Sequence, residues 1–223
     1  MSDTGQTTKF LIAPGALGAM ILAHDWAATP LGPIAAWPQS LKTTISLMLS
    51  SRQPMWIGWG PHATFLYNDA YISVLGQTKH PWALGRPAAE VWAEIWDICG
   101  PLAAVVFEQG DATLTDDVRL FMNRGDFLEE TYFSFSYSPI RDESGNVAGL
   151  FCPNLDVTAK HLNARRLRTL SDLATRSLTA KTVDAACTSA IAILADNPDD
   201  VPFALLYLGT ADGRHARLVS AAR

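Results

Sequence analysis

Between Phe127 and Pro139 the side chains alternate in character. Phe127, Glu129, Thr131, Phe133, Phe135 and Tyr137 form one set, and Leu128, Glu130, Tyr132, Ser134, Ser136 and Ser138 the other. A period of two predicts a strand with two distinct faces. The stretch from Arg141 to Asn146 is charged and contains Gly145, and Val147 to Leu155 is short and apolar. Together they predict two antiparallel strands joined by a hairpin loop of a few residues.

The same reading extends in both directions. Residues 1–15 are polar and then punctuated by Gly and Pro, which predicts a loose arm. Ala16 to His24 is a short helical candidate. Pro30, Pro33 and Pro38 exclude regular structure until Pro38, which suits the first turn of a helix running to about Ser50. Leu41, Thr44, Ile45, Met48 and Leu49 share one face of that helix. Pro54 to Trp59 and Thr64 to Tyr67 predict a strand pair across Gly60-Pro61-His62, and Asn68-Asp69 supplies side chains able to cap a helix from Ala70 to Leu75, which Gly76 stops. Glu94 to Gln109 predicts a long helix and Ala112 to Met122 another strand. The sum is an α+β fold, a five-stranded antiparallel sheet with flanking helices and an N-terminal helical extension.

After Thr158 the period becomes helical. At 100° per residue Ala159, Leu162, Leu167, Leu170, Leu173, Ala174 and Leu178 fall on one side, and His161, Arg165, Arg168, Asp172 and Arg176 on the other. Such a stripe calls for a partner, either its own domain or a second helix. Val183 to Ala195 predicts a further helix, broken by Asn197-Pro198-Asp199-Asp200. Phe203 to Leu208 and Ala216 to Ser220 predict strands around residues 210–214. The expected division is thus 1–53 for the arm and flanking helices, 54–158 for the sheet domain, 159–180 for the amphipathic helix and 181–223 for a last, incomplete segment.

Composition narrows the function classes. In 223 residues, 48% are hydrophobic and 17% charged, a balance that builds a core and does not describe a disordered chain. The net charge of −5, with no basic cluster beyond Arg165, Arg166 and Arg168, leaves no electrostatic footprint for nucleic acid or an anionic membrane. No apolar run approaches the roughly 18 to 20 residues of a membrane span, and the N-terminus lacks the marks of a signal peptide, so a cytoplasmic chain is expected. Cys99, Cys152 and Cys187 are far apart and odd in number, which suggests buried thiols and neither disulfides nor a metal site.

Several strings resemble the PAS family of sensory domains. The long aromatic strand, the Asp-x-x-Gly turn, the apolar strand and the terminal Asp156-Val157-Thr158 leading into a helix resemble that family's last two strands and exit motif. In LYNDAYISVLG, the residues Asn68, Ala70, Tyr71 and Gly76 match its pattern after the second strand. ALGRPAAEVW resembles the segment that wraps the ligand side of the sheet. The resemblance covers about residues 54–158, and the helix and hairpin after it resemble the start of a GAF domain, too short to close that core. This implies the N-terminal input end of a larger multidomain bacterial sensor histidine kinase, with the helix after Thr158 as a dimerising signalling helix and the kinase domains downstream. The alternative is a structural dimerisation module with no ligand of its own.

The resemblance makes the chain itself non-catalytic, since it carries no nucleotide-binding loop, no GxSxG and no HExxH. His161, in HLNAR, lacks the acidic neighbour of the family's phosphoacceptor. The ligand is unknown. Candidate pocket-lining residues are Trp56, Tyr67, Trp92, Trp96, Cys99, Glu129, Phe133 and Phe135. Glu129 requires a donor if its face lines a cavity, with Arg86 or a ligand as the candidate. Trp56, Trp59, Trp82, Trp92 and Trp96 suit a clamp on a planar ligand, but packing between helix and sheet explains them as well. WDICGPL lacks the NCRFLQ string of light-oxygen-voltage domains, so a flavin photoadduct at Cys99 is disfavoured. Haem is disfavoured too, because the long helix has no His and only His80 lies near it. Signal transmission is expected to run through Asp156, Thr158, Leu170 and Leu173.

Overall fold

The computed structural model describes residues 15–178, 180–210 and 212–223. The expected arm at residues 1–15 therefore lies outside the described residues, apart from Gly15. The chain divides into two compact units, the first ending at Thr158 and the second running from Ala159 to Arg223.

The first unit contains helices α1 (Ala16–Ala23), α2 (Gln39–Ser50), α3 (Ile72–Lys79), α4 (Ala88–Val91) and α5 (Trp96–Gln109). Its strands are β1 (Met55–Trp59), β2 (Thr64–Tyr67), β3 (Thr113–Asn123), β4 (Leu128–Arg141) and β5 (Val147–Asp156). The strands form one antiparallel sheet in the order β2-β1-β5-β4-β3. This α+β arrangement, a five-stranded antiparallel sheet with flanking helices, is the architecture the PAS resemblance implied.

The alternation of β4 carries through. Thr131, Phe133, Phe135 and Tyr137 are buried while Tyr132, Ser134, Ser136 and Ser138 are only partly so. β1 is buried on both faces, because α5 and its neighbours close one side and α2 packs against β1, β2 and β4 on the other. Leu41, Ile45, Met48 and Leu49 form the buried stripe of α2, as its spacing predicts.

Two elements differ from the sequence reading. The helix expected from Ala70 to Leu75 opens as a 3-10 turn (Asp69–Tyr71) before α3, and Gly76, at φ +71° and ψ −179°, breaks the helical path as expected, with the residues up to Lys79 following across the kink. A Cβ there would come 2.0 Å from the Arg124 carbonyl oxygen, so close approach and backbone angle both require glycine. The long helix begins at Trp96, with a 3-10 turn (Ala93–Ile95) in place of its expected first residues. β3 carries a bulge between Thr115 and Val118, where Asp117 takes φ +51°.

Asn68, 1% exposed, joins four of these elements. Its Oδ1 accepts from the Met55 and Tyr71 amides, both at 3.1 Å. Its Nδ2 donates to the carbonyls of Met48, Ser51 and Gln53 at 2.8 to 3.2 Å.

The second unit contains most of α6 (Thr158–Ser177), then α7 (Val183–Ala195) and the antiparallel hairpin β6 (Ala204–Gly209) and β7 (Ala216–Ala222). Cys187, Ile191 and Ile193 are the buried side of α7, which packs on the hairpin. Arg165 on α6 is held by Asp199 and Asp200 in the loop after α7, and Asn197 donates to Thr169 and Asp200. Ion pairing with Arg165 keeps the Asp200 carboxyl well below the usual carboxylate range.

Asn68→Ala is expected to cost about 2 to 4 kcal/mol, because it removes five hydrogen bonds: the Met55 amide and the Ser51 and Gln53 carbonyls lose this partner, while the Met48 carbonyl keeps the Ser51 amide and the Tyr71 amide keeps the Asn68 carbonyl. Urea unfolding followed by tryptophan fluorescence measures it. A loss below 1 kcal/mol would show that the amide is not what joins these elements.

Candidate functional site

The inner face of the sheet and the helices over it enclose a small cavity. Trp56 of β1, Trp92, Cys99 of α5, and Phe133 and Phe135 of β4 line it, so five of the eight expected lining residues meet there. Tyr71, Tyr137 and Asn154 complete the polar part of its wall. The free volume is about 20 Å³, room for roughly one water molecule. Aromatic packing accounts for this: Trp56 stacks on Phe65 at 4.7 Å and meets Tyr137 edge-on at 5.6 Å, and Tyr71 meets Trp92 edge-on at 6.3 Å.

Cavities that take drug-sized ligands run to about 300 to 1,000 Å³. In this conformation the core is filled by its own side chains. Burial pushes the Cys99 thiol up to about 11 and holds the phenols of Tyr71 and Tyr137 and the thiol of Cys152 well above their ordinary values. At neutral pH Cys99 is therefore a protonated thiol in an apolar wall, without the thiolate that nucleophilic chemistry needs. Asn154 donates to the Cys152 carbonyl and sulfur.

The other three expected lining residues lie elsewhere. Tyr67 is buried and its hydroxyl meets His80 Nδ1 at 2.9 Å. Trp96 faces a different cleft, beside Gly100, Ala103 and Ala104 of α5. Glu129 stands at the far end of β4, beyond the buried run, where Arg124 clasps it through Nε at 3.0 Å and Nη2 at 2.8 Å. The donor expected for Glu129 was Arg86 or a ligand. Arg86 instead pairs with Glu90 one turn along and lies over the Trp82 ring. The tryptophans divide likewise, with Trp56 and Trp92 buried, Trp59 and Trp96 half-buried, and Trp82 exposed.

Arg124 also reaches Asp156, Nη1 to Oδ2 at 3.1 Å. The other oxygen of Asp156 accepts from the Thr158 amide at 2.9 Å, and Thr158 Oγ1 accepts from the Tyr132 amide at 2.9 Å. The Val157 amide donates to the Tyr132 carbonyl. One guanidinium in the β3–β4 turn thus binds the start of β4 and the end of β5 where the chain passes into α6. Sequence reasoning named Asp156 and Thr158 but missed Arg124. The available signal was a lone Arg in the turn between two strands, at Asn123-Arg124-Gly125. Along α6, Leu167 and Leu170 expose more than half of their surface, while Leu162 and Leu173 are half-buried. The side of α6 that its own unit covers includes Arg165 and Thr169, not the whole leucine stripe.

No protein-family model matches the chain, and no curated protein does. Among solved structures it is similar to an RNA-binding light-oxygen-voltage receptor, at 23% identity over 69% of this chain and 42% of that one, with a TM-score of 0.43. It is also similar to the PAS domain of Bordetella pertussis BvgS, at 18% identity over 59% of this chain and 96% of that one, TM-score 0.39. A sensory box sensor histidine kinase from Vibrio cholerae matches at 15% identity over 54% and 92%, TM-score 0.37. At such identities the likeness concerns chain path alone. The chain spans less than half the length of the first of these. Among the described residues no helix is long and apolar enough to cross a membrane.

Arg124→Ala and Asp156→Ala are each expected to raise amide exchange in residues 159–178 while the core of the first unit keeps its protection. Because Asp156 and Glu129 are over a third exposed, water screens the clasp, and the stability loss is expected to be about 1 to 2 kcal/mol. Phe133→Ala, by contrast, is expected to loosen the core by about 3 to 5 kcal/mol. Unchanged exchange in residues 159–178 for both clasp variants would remove the latch role.

Proposed function

We propose that residues 54–158 form a sensory input module that passes a conformational change through the helix after Thr158 to a downstream histidine kinase of a two-component system. The observation that carries this reading is the clasp of Arg124 on Asp156, at the one place where the sheet runs without a linker into α6. A shift of β4 against β5 changes the geometry of that clasp and so biases the helix. A tie worth roughly 1 to 3 kcal/mol is enough to tilt two states of similar energy. In this reading the chain performs no catalysis, α6 pairs with its copy in a homodimer, and residues 181–223 begin a GAF domain. The exposure of Leu167 and Leu170 supports the pairing.

The filled core favours a second reading, a dimerisation module that relays movement and holds no ligand at its centre. Both share the helix and differ in the core. Native mass spectrometry of the purified chain separates them: a small molecule retained until unfolding supports sensing in the core, and the bare polypeptide mass supports the relay. For the helix, replacing Leu170 and Leu173 by Lys is expected to convert a dimer to a monomer in sedimentation. An equal sedimentation mass for parent and variant would refute pairing through this face.

A further inference from the structure

A hollow of about 750 Å³ in the first unit is separate from the core cavity. It lies between the β1–β2 turn at Gly60-Pro61-His62, the middle of α5 and the start of β5 at Val147 and Ala148. Its walls are aromatic, formed by Trp59, Trp96 and Phe107, each half-buried, and Ala103 and Ala104 of α5 give it a narrow-residue floor. Two glycines seat the indoles. A Cβ on Gly100 would come 2.8 Å from Trp96 Nε1, and one on Gly149 would come 2.9 Å from the Trp59 ring. Side chains at either position would push the walls into the hollow.

The polar chemistry of the cleft is one-sided. Glu108 is the acidic residue on its lining, His62 of the turn is the basic one, and no Lys or Arg shares the lining with them. The Trp59 and Trp96 indole N–H groups have no acceptor among the described residues. An anionic ligand would find no Lys or Arg there. A flat ring, by contrast, finds π faces over small residues, and a positive group finds both those faces and a carboxylate.

We propose that this cleft is a binding site for a flat heteroaromatic amine that is positively charged at neutral pH. The ring lies against the aromatic walls, a ring or side-chain acceptor takes an indole N–H, and the ammonium lies toward Glu108. The site does not depend on the relay through α6: Asp156→Ala leaves its affinity unchanged, so failure of one idea is separable from failure of the other.

Tryptamine, indole and indole-3-acetate carry one ring system with charges of opposite sign or none, and serve as probes. They are titrated into the full 223-residue chain while the indole N–H signals of its seven tryptophans are followed by ¹⁵N NMR. The expected result is a saturable shift of the Trp59 and Trp96 signals, with tryptamine bound about tenfold more tightly than indole-3-acetate. Glu108→Gln brings tryptamine down to the affinity of indole. Ala104→Phe, which fills the hollow from a half-buried position on the helix, weakens tryptamine about tenfold or more. Ala89→Phe fills it from α4 and gives the same loss should Ala104→Phe unfold the chain. Absence of a saturable shift at these two signals up to millimolar probe, indole-3-acetate binding as tightly as tryptamine, or full affinity in both folded filling variants would each overturn the proposal.

Discussion

A helix ending inside a fold leaves carbonyls without partners, and a strand or helix starting beside it leaves amides in the same state. In the first unit one side chain answers both needs. The amide of Asn68 offers two donors to the carbonyls of Met48 and Ser51 at the end of α2 and of Gln53 in the connection that follows. Its oxygen takes the amides that open β1 and the turn before α3. Three carbonyls on one side and two N–H groups on the other leave a single orientation for the group. Neither Asp nor Leu reproduces it: the first places oxygens against carbonyls, and the second satisfies nothing. With this junction closed, α2 lies over β1 and β2, and the sheet can be apolar on both faces.

Burial on both faces in turn explains why the central hollow is so small. Trp56, Phe65, Tyr67, Tyr71 and Trp92 interlock between β1, β2 and the helices, with ring centres 4.7 to 6.3 Å apart. Interiors pack at nearly crystalline density, so five large rings in one layer leave little room for a guest. A bound cofactor would have to take the place of a side chain. The cleft between Trp59 and α5 arises where that packing stops, since Gly60, Ala103 and Ala104 offer too little volume to close the gap.

Much of this was legible in the chain. The two-residue period of β4 foretold its buried row, four of the five residues read into the α2 stripe are buried with Thr44 half-buried, and all five strands were placed within two residues of their ends. What escaped depends on distance along the sequence. Arg124 and Asp156 are 32 residues apart, and no local pattern joins them. Glu129 was given Arg86 because that residue lay in the segment expected to face the sheet, whereas the real donor comes from the turn just before the strand. The tryptophans divide between core and surface according to which way each backbone position points. Trp56 and Trp59 are three residues apart on a five-residue strand and therefore face opposite sides, which alternation does predict. Trp92 and Trp96 flank a 3-10 turn, whose rotation no simple period supplies.

β5 is the strand that carries both the edge of the cleft and the clasp. It lies between β1 and β4 in the sheet, and its register is fixed on both sides, Trp56 against Cys152 and Phe135 against Asn154. Ala148, near its start, lines the aromatic cleft, and Asp156, at its end, is held by Arg124. Between them the strand extends about 3.3 Å per residue. A strand paired on both sides cannot absorb a push at one end by bending. It moves with its ladder, or the bulge at Ala148, opposite Ile140 and Arg141 of β4, gives way first. A filled core strengthens the point, because a well-packed interior shifts between discrete arrangements and does not deform smoothly.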